Sequence, residues 1–239
     1  MRHKNKKPTI GNEVKKLDPF LVVEDIERLI NFYGFNHDFE LIEDDLDEVR
    51  FFEDLNFRRR KDAEVLSIVA ANVPTGKMLD IGTFMGNSAA RMAVNSPASE
   101  VYTVNIHPDE LNEGGKFVTG APKLEDIGSF YREKGLTNVN QIIANTKSWN
   151  IPDEIDNLSL VYIDGSHDTD FVYHDTKMIL DKVIKDGFIL WHDCSPVYRR
   201  NYEWIDAAMK GIELILDEGL IKPFILNVKH SWIGIWRKM

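Results

Sequence analysis

The sequence predicts an α/β fold: a doubly wound, seven-stranded, mostly parallel sheet with a C-terminal antiparallel hairpin, preceded by a helical N-terminal cap. Three observations carry this. From Lys77 onward, short apolar runs alternate with stretches of helical periodicity, the pattern of parallel βαβ units. Near the C-terminus, two apolar runs are joined by a turn too short for a crossover, so they must pair antiparallel. Ahead of Pro74-Thr75-Gly76 the apolar residues recur at helical spacing.

Residues 1–17, with Arg2, His3, Lys4, Lys6 and Lys7, read as a flexible, solvated tail. Asp18-Pro19 reads as a helix start, a capping side chain followed by proline at the first helical position. Ile26, Leu29, Ile30 and Tyr33 continue it, and Gly34 stops it. The acidic stretch 38–54 interleaves Leu41, Ile42, Leu46, Val49 and Phe52, which predicts an ordered amphipathic segment. A further helix runs from about Phe57 to Asn72, so residues 18–74 form the cap. In 75–239 the predicted strands are Met78–Ile81, Val101–Ile106, Val139–Ala144, Leu158–Ile163, Gly187–His192, Pro223–Val228 and Ser231–Arg237. Helices are expected over Ser88–Val94, Leu124–Lys134, Phe171–Ile184 and Tyr202–Glu218. Residues 107–123, with Gly114, Gly115 and Gly120, form an unusually long loop of the kind that serves as a lid.

A formal net charge of −10 argues against a nucleic-acid partner, whose phosphates require clustered Lys and Arg. No apolar stretch approaches the ~20 residues that span a bilayer. The basic start runs into Pro8, Thr9 and Gly11 rather than an apolar segment, so it does not read as a secretory signal. Cys194 stands alone and excludes an internal disulfide. Together these predict a cytoplasmic protein with no membrane partner, with homo-oligomerisation through the N-terminal segment left open.

In Asp80-Ile81-Gly82-Thr83-Phe84-Met85-Gly86 a strand ends in Asp80, a glycine turn follows, and a helix begins near Asn87. Gly82 lets backbone approach a ligand closely, and the helix start offers free N–H groups. The spacing lacks the second glycine of a nicotinamide-binding turn. It resembles motif I of the class I S-adenosylmethionine-dependent methyltransferases, and the resemblance extends over about residues 77–237, including the closing hairpin. It implies a Rossmann-like methyltransferase domain over 75–239, with S-adenosylmethionine held by Asp80, Gly82, Thr83, Phe84 and Gly86. Asn105 takes the place of the ribose-binding acid at the end of the second strand, with Asp109 or Glu110 as alternative sources of charge, and Asn145 is the candidate adenine neighbour.

A second constellation is Asp164-Gly165-Ser166-His167 with His192-Asp193. Asp164 and Asp193 end two parallel strands, where open α/β sheets place ligands, and two close carboxylates call for a cation between them. The phrases resemble the metal-dependent O-methyltransferases of the cephalosporin-biosynthesis and glycan type, and those of the catechol and caffeoyl-CoA type. That resemblance implies a divalent cation, Mg²⁺ first and Mn²⁺ or Fe²⁺ next, on Asp164, Asp193 and His192. It also implies that Asp164 borders the cofactor and takes part in catalysis, and that His167 is the general base, three residues after Asp164. The implied reaction is O-methylation of a small molecule or saccharide, with Arg199, Arg200, Tyr198 and Trp149 as candidates to line the acceptor pocket. The rivals are a non-catalytic cofactor-binding or interaction module and a nucleotide-dependent oxidoreductase.

Overall fold

A computed structural model describes residues 18–42, 53–118, 120 and 122–239. The tail expected at 1–17 and most of the amphipathic segment expected at 38–54 lie outside the described residues.

The chain begins with strand β1 (Phe20–Val23) and helices α1 (Ile26–Tyr33) and α2 (Glu53–Asn72). Then come β2 (Lys77–Ile81), α3 (Asn87–Asn95), β3 (Glu100–Asn105), α4 (Ser129–Glu133) and β4 (Val139–Ile143). The remainder is β5 (Leu158–Ile163), α5 (Thr169–Ile179), β6 (Val183–Trp191), α6 (Glu203–Asp217), β7 (Ile225–Val228) and β8 (Gly234–Arg237). Among the described residues one sheet holds all the strands, in the order β1-β7-β8-β6-β5-β2-β3-β4. Only β8 runs antiparallel, paired on both sides with β6 and β7.

The seven predicted strands are joined by an eighth. Asp18 does not cap a helix: its Oδ1 accepts the Phe20 N–H at 3.0 Å, an Asx turn that launches Phe-Leu-Val-Val into parallel pairing with β7. The helix starts later, where Asp25 Oδ1 accepts the Arg28 N–H and Gly34 closes it in the left-handed conformation. The aromatic and β-branched run outweighs the Asp-Pro start signal because β7 offers it an unpaired edge. Two boundaries differ similarly. Val183 and Ile184, expected in a helix, open β6, and residues 124–128 form turns ahead of the short α4.

The strands alternate apolar residues toward two buried faces. Met78, Leu160, Tyr162 and Leu190 pack with Leu29, Ile68, Val69 and Met92 of α1, α2 and α3. Leu79, Val161, Ile163 and Trp191 pack with Val172, Ile205, Met209 and Ile212 of α5 and α6. The cap therefore supplies one covering layer of the sheet. Register does the rest: Ile81 lies beside Ile163, and Ile163 beside Trp191. The ladder continues one step on, with Asp164 N–H donating to Ile81 O at 2.7 Å and His192 N–H to Ile163 O at 3.0 Å. Gly82, Asp164 and His192 thus leave the sheet side by side.

Leu29 is fully buried in the layer formed by the cap. Leu29→Ala is expected to lower unfolding free energy by ~2–5 kcal/mol in urea titration. A loss below ~0.5 kcal/mol, the usual scale for surface substitutions, would mean the cap is peripheral to the core.

Candidate active site

A cavity of about 810 Å³ opens along the carboxyl ends of the parallel strands, within the size range of small-molecule sites. Strand order arranges its walls. Val104 and Asn105 of β3, with Ala144 and Asn145 after β4, lie on one side; Gly82 and Asp164 occupy the middle; His192, Asp193 and Trp232 lie on the other.

Of the residues expected to hold the cofactor, Gly82, Phe84, Asn105, Asn145 and Asp164 line this cavity. Asp80, Thr83 and Gly86 do not, and each has an internal task instead. Gln141 donates to Thr83 Oγ1 (3.0 Å), which bonds Thr103 Oγ1 (2.7 Å), which donates to Asp80 Oδ2 (2.6 Å). Burial pushes the Asp80 carboxyl up to about 7, against the hydrogen bonds from Thr103 and Ser88. Gly86 adopts a left-handed φ of 94°, and a Cβ there would come within 2.6 Å of the Tyr131 ring. Gly82 is tighter still: at φ 106° its Cβ would lie 2.0 Å from the Asp164 carbonyl oxygen. The glycine turn and the end of β5 are packed backbone to backbone.

Asn105 also serves the turn, its Oδ1 accepting the Phe84 N–H at 2.9 Å. Asp109 and Glu110 lie on an exposed 3₁₀ turn, Pro108–Glu113, and are not among the residues lining the cavity. Leu111, Gly114, Phe117 and Val118 of the long loop do line it.

Asp164, His167, His192 and Asp193 converge, each offering one ligand atom within 4.8 Å of the others. His167 Nε2 lies 2.8 Å from Asp193 Oδ2 and 3.5 Å from Asp164 Oδ1. His192 Nδ1 lies 2.9 Å from Asp164 Oδ1 and 3.5 Å from Asp193 Oδ2. Neighbours on a strand point to opposite faces, yet both His192 and Asp193 reach the cluster. Asp193 makes this possible with a left-handed φ of 51°, a conformation Asp tolerates better than most residues. The opposite ring nitrogens are engaged: His167 Nδ1 donates to Phe117 O at 2.7 Å. His192 Nε2 meets Asp62 Oδ2 at 3.3 Å and the Arg58 guanidinium at 3.1 Å. Asp62 Oδ1 is itself fixed by Ser231 Oγ (2.8 Å) and the Trp232 N–H (2.7 Å).

Burial disfavours charge on both imidazoles, but the two carboxylates override it, holding His167 at about 10 and His192 well above its usual range. Burial likewise opposes ionisation of Asp193, and the His192 and His167 rings hold its carboxyl far below normal. Three buried atoms, His167 Nε2, His192 Nδ1 and Asp193 Oδ1, nevertheless have no well-directed hydrogen bond. Unsatisfied buried groups are rare and costly. Nitrogen and oxygen donors converging without internal satisfaction fit a divalent cation.

Several contributors were not legible in the sequence. Arg58 and Asp62 reach the site from α2, with Arg58 stacked 4.3 Å over Trp232. Asp175 of α5 is buried and lines the cavity. Asp168 accepts the Phe117 N–H at 2.7 Å and so anchors the long loop. The expected acceptor-pocket residues are elsewhere. Arg199 pairs with Asp206 and Glu213, and none of Tyr198, Arg199, Arg200 or Trp149 lines the cavity; Tyr202, Trp204 and Trp232 do.

Residues 79–194 match a family profile described as a methyltransferase domain. Among solved structures, an SAH-bound methyltransferase from Podospora anserina aligns with a TM-score of 0.54 at 15% identity, covering 89% of this chain and 94% of that one. A precorrin-6y C5,15-methyltransferase from Geobacter metallireducens aligns with a TM-score of 0.51 at 16% identity, covering 76% and 82%. No curated protein matches the sequence. At these identities the structural likenesses establish the fold.

Two outcomes follow from the geometry. Gly82→Ala forces the turn away from Asp164, so a variant that remains folded is expected to lose at least ~tenfold in S-adenosylhomocysteine affinity by calorimetry, about 1.4 kcal/mol. Unchanged affinity would place the cofactor elsewhere. Asp80 has its folded pKa, about 7, above the ordinary 3.8, so its contribution to stability is present at low pH and lost as pH rises through that window. Asp80→Asn is therefore expected to gain stability relative to the parent between those values in paired denaturation series. A pH-independent difference would contradict the buried carboxyl.

Proposed function

We propose, from the premise that this chain carries a class I S-adenosylmethionine-dependent methyltransferase domain, that it methylates a hydroxyl of a small molecule or saccharide with the help of a divalent cation. The observation that carries this reading is the convergence of Asp164, His167, His192 and Asp193 on one point of the cavity floor, with buried donor atoms left unsatisfied.

The strand order supports a division of labour. The cofactor would lie against Gly82, Phe84 and Asn105, with its adenine toward Asn145, and the acceptor would rest against Tyr202, Trp204 and Trp232. Asp164 stands between, its carbonyl against the glycine turn and its carboxylate in the cluster. In the reaction the C–O bond forms as the methyl leaves the sulfonium sulfur, and the hydroxyl loses its proton. Orientation of the two partners can supply ~7–11 kcal/mol of the barrier. A cation on Asp164, His167, His192 and Asp193 would stabilise the developing alkoxide. Asp164 is the more open of the two carboxylates, with 28% of its side chain exposed against 4% for Asp193, and it borders the part of the cavity where the acceptor would lie. His167 is better assigned to holding the ion than to acting as a free base, since Nδ1 is bound to Phe117 O and Nε2 lies within the cluster. The acidic charge and lone buried Cys194 support a cytoplasmic enzyme without a nucleic-acid partner.

The test is transfer of a labelled methyl group to a panel of hydroxylated sugars and phenols, with and without EDTA. EDTA or Asp193→Ala is expected to reduce turnover on the order of 10²-fold or more, while S-adenosylhomocysteine binding persists. EDTA-insensitive turnover would exclude the cation, and transfer only to amines or carbon would exclude O-methylation.

A further inference from the structure

Resting on that reading, we infer that the site is built for a borderline transition-metal ion of the Fe²⁺-to-Zn²⁺ range, bound through two imidazole nitrogens, and that Mg²⁺ is a poor occupant. The donor set is the first ground. Mg²⁺ is small and hard, takes oxygen ligands, and retains several waters. Here half of the converging side chains are imidazoles, which suit Fe, Ni, Cu and Zn. Asp164 and Asp193 alone would make an oxygen site; His167 and His192 do not leave room for that description.

The second ground is that each imidazole is presented as a ligand. A metal-bound histidine binds through one nitrogen and donates its other N–H to a carbonyl or carboxylate, which sets the tautomer and the ring's direction. His167 does this through Phe117 O, leaving Nε2 toward the two carboxylates. His192 Nε2 is held between the Asp62 carboxylate at 3.3 Å and the Arg58 guanidinium at 3.1 Å, which fixes the ring with Nδ1 toward Asp164. Asp62 is locked from behind by Ser231 and the Trp232 backbone, so it cannot rotate away without losing two further bonds. Arg58 lies against the same carboxylate at 3.4 Å. The two nitrogens that remain, His167 Nε2 and His192 Nδ1, are the ones buried without a directed hydrogen bond.

The third ground is where these supports come from. Phe117 belongs to the loop that covers the cofactor side of the cavity, and Asp62 to the cap helix α2. Elements from opposite ends of the domain orient the two rings toward one point, which a solvated surface pair would not require.

The experiment uses the full chain, stripped of metal and loaded with S-adenosylhomocysteine. Co²⁺ is titrated by calorimetry and by its visible absorption, which reports its coordination geometry, and Mg²⁺ is titrated by calorimetry alongside. Co²⁺ is expected to bind at least ~tenfold more tightly than Mg²⁺. His167→Asp and His192→Asp keep a ligand but exchange nitrogen for oxygen; each is expected to weaken Co²⁺ and not Mg²⁺. Asp62→Asn is expected to weaken Co²⁺ ~10–100-fold through the His192 ring alone. Circular dichroism and retained S-adenosylhomocysteine binding identify the variants that fold. Equal affinity for the two ions, with Co²⁺ binding unmoved in the folded histidine variants, would overturn this inference and leave a metal-assisted methyl transfer standing. Absence of binding by either ion would overturn both.

Discussion

The structure turns on a charge problem at the carboxyl ends of β5 and β6. Asp164 and Asp193 are brought together by strand register, and two carboxylates in a mostly buried setting repel unless cations or protons lie between them. The chain answers with two imidazoles, His167 and His192, placed between the carboxylates. Much else serves that arrangement. The left-handed backbone at Asp193 turns its side chain back toward the cluster, a conformation that costs about 1–3 kcal/mol and persists only where the surroundings enforce it. Cys194 N–H donating to Trp232 O at 2.8 Å supplies part of that enforcement.

This arrangement also links regions that sequence would treat as separate. The glycine turn after β2 touches Asp164 through backbone, so the turn and the Asp164–Asp193 cluster share one close contact. The long loop reaches the same site through Phe117, held on one side by His167 and on the other by Asp168. The cap reaches it through Arg58 and Asp62 on α2. A site with supports on three elements is pre-organised, which is what an in-line transfer needs.

The fold was legible where local signals and long-range context agree. Alternating apolar runs marked the parallel strands of the sheet domain, and the short turn after Val228 marked its hairpin. Phe20–Val23 was not legible, because four apolar residues behind Asp-Pro carry a stronger helix signal than strand signal until β7 is there to pair with. Residue type and strand-end position singled out Asp164, His167, His192 and Asp193, and the structure brings these four side chains together. Asp62 and Arg58 could not be found this way. They sit mid-helix in a charged stretch that reads as a solvated face, and only the packing of α2 against the sheet turns them inward. Thr83 and Asp80 were over-read for a related reason: the motif fixes the backbone of the turn, while these side chains face the interior and hold β2 to β3.

If one cavity holds the cofactor and a cation side by side, with the cation on Asp164, His167, His192 and Asp193, an anomalous-difference map from crystals grown with S-adenosylhomocysteine and Co²⁺ will reveal it. A single strong peak is expected among those four side chains, with the cofactor's sulfur facing it from the Gly82 side. A map with the cofactor in place and no peak among those residues, or with the ion bound elsewhere, would contradict it.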